Sequence, residues 1–181
     1  MTITATVFDT NLGWIGTTWR ANRLDRLTFG HPSRNKARDE LGYTPSHRGS
    51  WSRQQASFAD QIQAYSQGIE TDFSNVLIAR DTWSDFQRDV RLACREIGWG
   101  ETCSYAQLAQ IVGRPGAARA VGTVMARNPV PLIIPCHRVI PSGQQRLGHF
   151  SAPGGVRMKQ RLLALEGASI ATVANHAALL S

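Results

Sequence analysis

Three prolines, Pro129, Pro131 and Pro135, punctuate an apolar run that ends in Cys136, His137 and Arg138, and this stretch constrains the chain more than any other. Pro135 fixes φ and removes a backbone donor, so no helix can continue through it. The flanks Leu132-Ile133-Ile134 and Val139-Ile140 predict a short extended stretch bent at the cysteine. A thiol, an imidazole and a guanidinium in consecutive positions of an otherwise apolar segment are a poor choice for packing. They mark a candidate nucleophile beside a candidate base. Adjacency alone is weak evidence, because neighbouring side chains on an extended stretch point to opposite faces and most buried cysteines are inert.

The remainder of the chain can be read for what it brings to that cysteine. Ile3, Ala5 and Val7 alternate with threonines, a turn at residues 10–13 leads into Trp14–Trp19, and a second turn at 21–23 leads to Leu24, Leu27 and Phe29. These runs predict a small antiparallel meander. Ser33 is placed to cap a short helix to Leu41, residues 42–50 read as a polar surface loop, and Phe58, Ile62 and Tyr65 fall on one face of a helix stopped by Gly68. That helix is expected to cover the sheet, and Val76-Leu77-Ile78 to form a returning strand. The texture changes at Arg80, so we expect an N-terminal α/β domain over 1–79 and a C-terminal domain over 80–181.

In the second domain Phe86, Val90, Ala93, Cys94 and Ile97 recur at helical spacing, which makes Cys94 a buried small hydrophobe. Ser104 and Gln107 have capping-box spacing and open a helix whose expected buried side is Leu108, Ile111 and Val112. After the break Gly113-Arg114-Pro115-Gly116, a second helix over Ala117–Ala126 turns Val121 and Met125 inward. The pair reads as a helix-turn-helix, a pattern shared with helical hairpins that bind nothing. Pro141–Gly155 forms a loop long enough to lie over a site, and a last helix from Val156 to Glu166 packs Met158, Leu162 and Leu165. No function is read in the tail after Ala168.

Charge points to an acidic partner. The net charge is +7, and Lys36 and Lys159 are the only lysines, so arginine, the residue suited to phosphate and base contacts, supplies nearly all of the positive charge. Three cysteines without Cys-x-x-Cys spacing argue against a disulfide framework and a zinc ribbon. The first ten residues lack a basic stretch followed by an apolar core, and no run approaches a membrane span. A reducing location without membrane contact is expected, cytoplasmic, or nuclear in a eukaryotic cell.

Five ordered blocks carry a family resemblance: Gly100-Glu101-Thr102 with Ser104-Tyr105; Ala117 to Gly122; Asn128 to Pro131; Pro135 to Ile140; and Leu162 to Gly167. In them the chain resembles the O6-alkylguanine-DNA alkyltransferases, the methylated-DNA-protein-cysteine methyltransferases. The resemblance implies a ribonuclease-H-like N-terminal domain and a C-terminal domain with a winged helix-turn-helix. It implies stoichiometric transfer of an alkyl group from O6-alkylguanine, or O4-alkylthymine, in double-stranded DNA to Cys136, by a monomer that needs no cofactor. By the same resemblance His137 is the base, Glu166 orients it, and Tyr105 gives a proton to a base flipped out of the stack. Arg119 fills the vacated stack, and Ser104, Ala118 and Arg127 join it in contacting DNA. Asn128 supports the cysteine segment, and Val139, Phe150 and Ser151 line the substrate pocket.

The chain also departs from the family pattern. Phe150 stands where a tyrosine is common, and Ala152-Pro153 adds two residues to the loop before Gly154-Gly155. Some relatives hold zinc through N-terminal cysteines and histidines; no cysteine precedes Cys94 here, so no metal is expected. Two competing classes are a damage-recognition module of the alkyltransferase-like kind, whose members lack the acceptor cysteine, and a Cys-His hydrolase, whose base would normally lie far from the nucleophile in sequence.

Overall fold

The computed structural model describes residues 3–42, 51–143 and 147–168. The chain divides into two compact units, Met1–Asp81 and Thr82–Ser181. In the first, β1 (Ile3–Phe8), β2 (Trp14–Arg20) and β3 (Arg23–His31) form an antiparallel sheet in that order. The β1–β2 turn is closed by reciprocal backbone bonds between Thr10 and Gly13. Only glycine suits that corner, because φ is +96° and a Cβ would lie 2.9 Å from the His31 carbonyl oxygen. Ser33 caps α1 (Arg34–Leu41) through the Lys36 amide, and the Ser52–Gln55 capping box opens α2 (Arg53–Ser66). Phe58, Ile62 and Tyr65 are buried, and the Phe58 ring stands edge-on to Trp19 of β2 at 5.3 Å. Gln55 of α2 also bonds Thr4 of β1, so this helix covers the sheet as its periodicity indicates.

The returning strand at Val76–Ile78 is not formed. It is reduced to one parallel bridge between Leu24 and Ile78, in which the Leu24 amide donates to Leu77 and the Ala79 amide to Leu24. Asp72 closes a side-chain turn onto the Ser74 amide at 2.7 Å just upstream, which leaves little chain to extend a ladder. The polar loop expected at 42–50 falls, beyond Gly42, outside the described residues, as does the tail from residue 169.

The second unit is helical. Ser84 and Gln87 form the capping box of α3 (Asp85–Arg95), which buries Val90, Arg91 and Cys94. The two-residue strand β4 (Cys103–Ser104) then leads into α4 (Tyr105–Ile111), opened by the Ser104–Gln107 capping box. A turn with Gly113 and Gly116 at positive φ precedes α5 (Ala118–Ala126), which buries Val121, Val124 and Met125. β5 (Val139–Ile140) pairs parallel with β4, setting Cys103 opposite Val139, and α6 (Gly155–Leu165) closes the unit. A three-stranded antiparallel sheet with helices, followed by a helical C-terminal region, is therefore the architecture. No helix among the described residues is long and apolar enough to cross a membrane.

Three sequence expectations fail locally in this unit. Ile111 is exposed, at 66%, and the buried side of α4 is Leu108 and Ala109. Ile111 is the last of the seven residues of this helix, and Val112, also expected to be buried, is its half-buried C-cap. Leu165 is half-buried, while Lys159 and Leu163 join Met158 and Leu162 on the inner face of α6. The cysteine segment bends at Cys136 as expected and Val139–Ile140 is extended, but the bend is a full 3-10 turn, Cys136–Arg138, and Leu132–Ile133 lie in a turn where an extended flank was expected. Pro135, at φ −78° and ψ 64°, takes an inverse γ-turn that sends the Cys136 amide back to the Ile134 carbonyl at 2.8 Å. The Arg138 amide then closes on Pro135 at 2.8 Å, a bond an extended chain cannot make.

Candidate active site

The turn at Pro135 gives Cys136 its setting. The residue is 5% exposed, and its carrier segment is held by Asn128, whose side-chain amide donates to the Ile134 carbonyl at 2.7 Å and whose Oδ1 accepts from the Val130 amide at 3.2 Å. Burial pushes the Cys136 thiol up, while a hydrogen bond from Asn128, the Lys159 ammonium and local backbone amides pull it back. At neutral pH the sulfur is therefore a thiol with stabilisation for a thiolate close at hand.

Behind it lies a buried group of three charged or polar side chains. His137 Nε2 lies 2.7 Å from Glu166 Oε1, with neither side chain exposed. Arg138 donates to both oxygens of the same carboxylate, Nε to Oε2 at 2.9 Å and NH2 to Oε1 at 3.0 Å, and its NH1 donates to the Ile97 carbonyl at 2.5 Å. Burial would raise the Glu166 carboxyl, but His137 and Arg138 overcome it and hold it down at about 2. Burial lowers His137, against the pull of Glu166, so the ring is neutral at neutral pH. An ionised carboxylate can only accept, so Nε2 carries the ring proton and Nδ1 is the basic nitrogen. Glu166 sits just past the last residue of α6, and this pairing explains an acid at a helix end whose dipole disfavours it.

Lys159, on the inner face of α6, is wholly buried. Its Nζ donates to the Val139 carbonyl at 2.6 Å and lies 5.9 Å from the centre of the Tyr105 ring. Burial lowers it to about 8, opposed by Cys136 and Cys94. Tyr105 is half-buried at the start of α4, where burial raises its phenol, and a Cβ at Gly148 would lie 3.5 Å from its hydroxyl. Phe150 is buried and Ser151 exposed in the segment before α6, part of a loop whose residues 144–146 lie outside the described ones.

Two residues of the site escaped the sequence reading. Arg138 stood inside the quoted segment but carried no assigned role. Lys159 had a legible signal, a lone lysine on an apolar stripe between Met158 and Leu162. Of the residues expected to meet DNA, Arg119 and Arg127 are exposed on and just past α5, and Ala118 is half-buried in its first turn. The Ser104 hydroxyl is engaged with the Gln107 amide as the α4 cap. These four lie along the helix pair, as does Tyr105 at the start of α4, while Cys136, His137, Asn128, Val139 and Glu166 belong to the 3-10 turn and the segments bonded to it.

Fold and site together define a class of protein in which a turn bearing a buried thiol, next to a buried histidine–carboxylate pair, follows directly on a helix pair with exposed arginines. The comparisons give that class its family. A family model described as 6-O-methylguanine DNA methyltransferase, DNA binding domain, matches residues 85–168. The methylated-DNA–protein-cysteine methyltransferase of Mycolicibacterium paratuberculosis is 43% identical over 127 residues, covering 68% of this chain and 73% of the relative. Among solved structures, Mycobacterium tuberculosis OGT in complex with DNA is similar at a TM-score of 0.73 and 33% identity, over 90% of this chain and 92% of that one. The Mycobacterium tuberculosis O6-methylguanine methyltransferase is similar at a TM-score of 0.73 and 31% identity, over 93% and 95% of the two chains. The chain belongs to the methylated-DNA–protein-cysteine methyltransferase family: it binds DNA and repairs O6-methylguanine by moving the methyl group to a cysteine.

Proposed function

We propose that Cys136 is the acceptor and that the thioether it forms is permanent, so that each molecule acts once. In this reading the Cys136 thiol gives its proton through a water to Nδ1 of His137. The imidazolium that forms is stabilised by the Glu166 carboxylate, itself fixed by Arg138. The sulfur attacks the O6-alkyl carbon in line, the carbon–oxygen bond breaks, and the guanine takes a proton from Tyr105. The Tyr105 phenolate recovers its proton from the His137 imidazolium through solvent, so that in sum one proton passes from the thiol to the guanine and the alkyl group passes to sulfur. The observation that carries the reading is the buried His137–Glu166 bond of 2.7 Å immediately behind a thiol whose ionisation Asn128 and Lys159 favour.

The same reading assigns the DNA to the helix pair. α4 and α5 act as the winged helix-turn-helix, with Arg119 entering the stack as the base flips out and Ala118, Arg127 and Ser104 against the backbone of the duplex. Val139, Phe150 and Ser151 line the pocket for O6-alkylguanine, with O4-alkylthymine as a second substrate. Residues 80–181 form the DNA-binding and acceptor domain, 1–79 a ribonuclease-H-like domain, and the protein works as a monomer in the cytoplasm without a cofactor.

Mass spectrometry tests the acceptor directly. After mixing with a duplex bearing O6-methylguanine, the peptide containing Cys136 is expected to gain one methyl group, one per protein. Cys136→Ala is expected to bind the duplex and leave the lesion intact. An unmodified Cys136 peptide alongside a repaired lesion would assign the methyl group to another residue.

A further inference from the structure

The mechanism above does not use Arg91, a charged residue that is 4% exposed on α3. Its NH2 donates to the carbonyl of Arg127 at 2.9 Å, and its guanidinium carbon lies 4.5 Å from the centre of the Trp83 ring. Arg127 is the residue that terminates α5, where the carbonyls of the last turn have no partners within the helix. A cation there meets the negative end of the helix dipole. The next residue is Asn128, whose side chain holds the Ile134 carbonyl, to which the Cys136 amide also bonds.

A guanidinium is a costly way to fill space in a helix interface, and Nε of Arg91 is buried without a hydrogen-bond partner among the described residues. Burial also lowers its pKa. An apolar side chain on that face of α3 would avoid both penalties. What the arginine adds is a fixed point: it ties the end of α5 to α3 one residue before the chain becomes the support of the acceptor.

We propose that Arg91, backed by Trp83, is a positioning residue that sets the end of the DNA-reading helix relative to the Cys136 turn. It thereby converts seating of α5 on a duplex into correct placement of the flipped base at the sulfur. This rests on α5 as the DNA-contacting helix and Cys136 as the acceptor. The clamp matters when the lesion arrives on a duplex, whose position is dictated by α5. It matters little for a free base, which finds the pocket alone.

The test compares transfer to Cys136 from a duplex carrying O6-methylguanine and from the free base O6-methylguanine. The proteins are the unaltered one, Arg91→Leu and Arg91→Lys, each with its thermal unfolding recorded. Arg91→Leu is expected to slow duplex transfer about tenfold or more while leaving the free-base rate within about twofold, since small misplacements of a reacting centre are expensive. Arg91→Lys, which keeps the cation and one donor, is expected to recover part of the duplex rate. Equal slowing on both substrates would overturn the positioning role in favour of a structural one, and no slowing on either would overturn it outright. If the unaltered protein adds no methyl to Cys136 from either substrate, the acceptor assignment falls and the clamp with it. Normal transfer by the unaltered protein with an unchanged substrate ratio in Arg91→Leu overturns the clamp alone.

Discussion

Lys159 is the residue whose burial is hardest to explain by packing. A primary amine with no exposed surface loses its hydration, and its Nζ donates to the Val139 carbonyl at 2.6 Å. Its folded pKa of about 8 lies below the ordinary 10.5, so its charge opposes folding at neutral pH, and that penalty is relieved as pH rises through 8 toward 10.5. The compensation is chemical, because the ammonium is one of the groups that pull the Cys136 thiol down. Lys159→Met should therefore raise the Cys136 pKa further. We expect slower alkylation by iodoacetamide at pH 7 and methyl transfer reduced by about tenfold for each pKa unit gained. An alkylation profile against pH identical to that of the unaltered protein would remove Lys159 from the thiol's environment.

At the scale of elements, the link between α3 and β4 determines how closely α6 can approach. Gly100 lies in that link at φ +71°, and a Cβ there would lie 2.9 Å from the carbonyl oxygen of Glu166. Gly100→Ala therefore combines left-handed backbone strain with a clash against the residue hydrogen-bonded to His137. We expect a loss of about 2–3 kcal/mol in urea unfolding, together with slower transfer. Gly113 in the α4–α5 turn is the control, since its φ is +68° but nothing lies within 4 Å of the added carbon. Gly113→Ala should show only the backbone term, about 1 kcal/mol, with transfer from free O6-methylguanine unaffected. The same packing logic explains why the α4 periodicity misled at Ile111. Spacing identifies a face, but the length of the contact decides which turns of that face are covered.

At the scale of the whole molecule, the buried His137–Glu166–Arg138 group makes stability depend on acid. Glu166 is held at about 2 against an ordinary 4.5, so its contribution is present above 4.5 and is lost as pH falls through 2. Between pH 6 and pH 3 this one group should cost about 2 kcal/mol, read as a drop in the urea midpoint that Glu166→Gln largely lacks. The N-terminal meander, the helix caps at Ser33 and Ser104 and the candidate residues Cys136, His137, Asn128 and Glu166 were legible in the chain, while the capping boxes at Ser52 and Ser84 went unread. Alternation, capping boxes and prolines are local rules, and the five ordered blocks supplied the family. Tertiary structure decided the rest. That Val76–Ile78 makes a bridge and no strand depends on how little chain separates it from the Asp72 turn. That Arg138 grips Glu166, Lys159 reaches Val139 and Arg91 reaches Arg127 depends on contacts spanning 28, 20 and 36 positions. A sequence fixes which side chains can ionise and where the backbone can bend. Which of those charges are removed from water, and beside which partner, is set only when distant segments pack, and that desolvation shifts the ionisation of Cys136 and its neighbours.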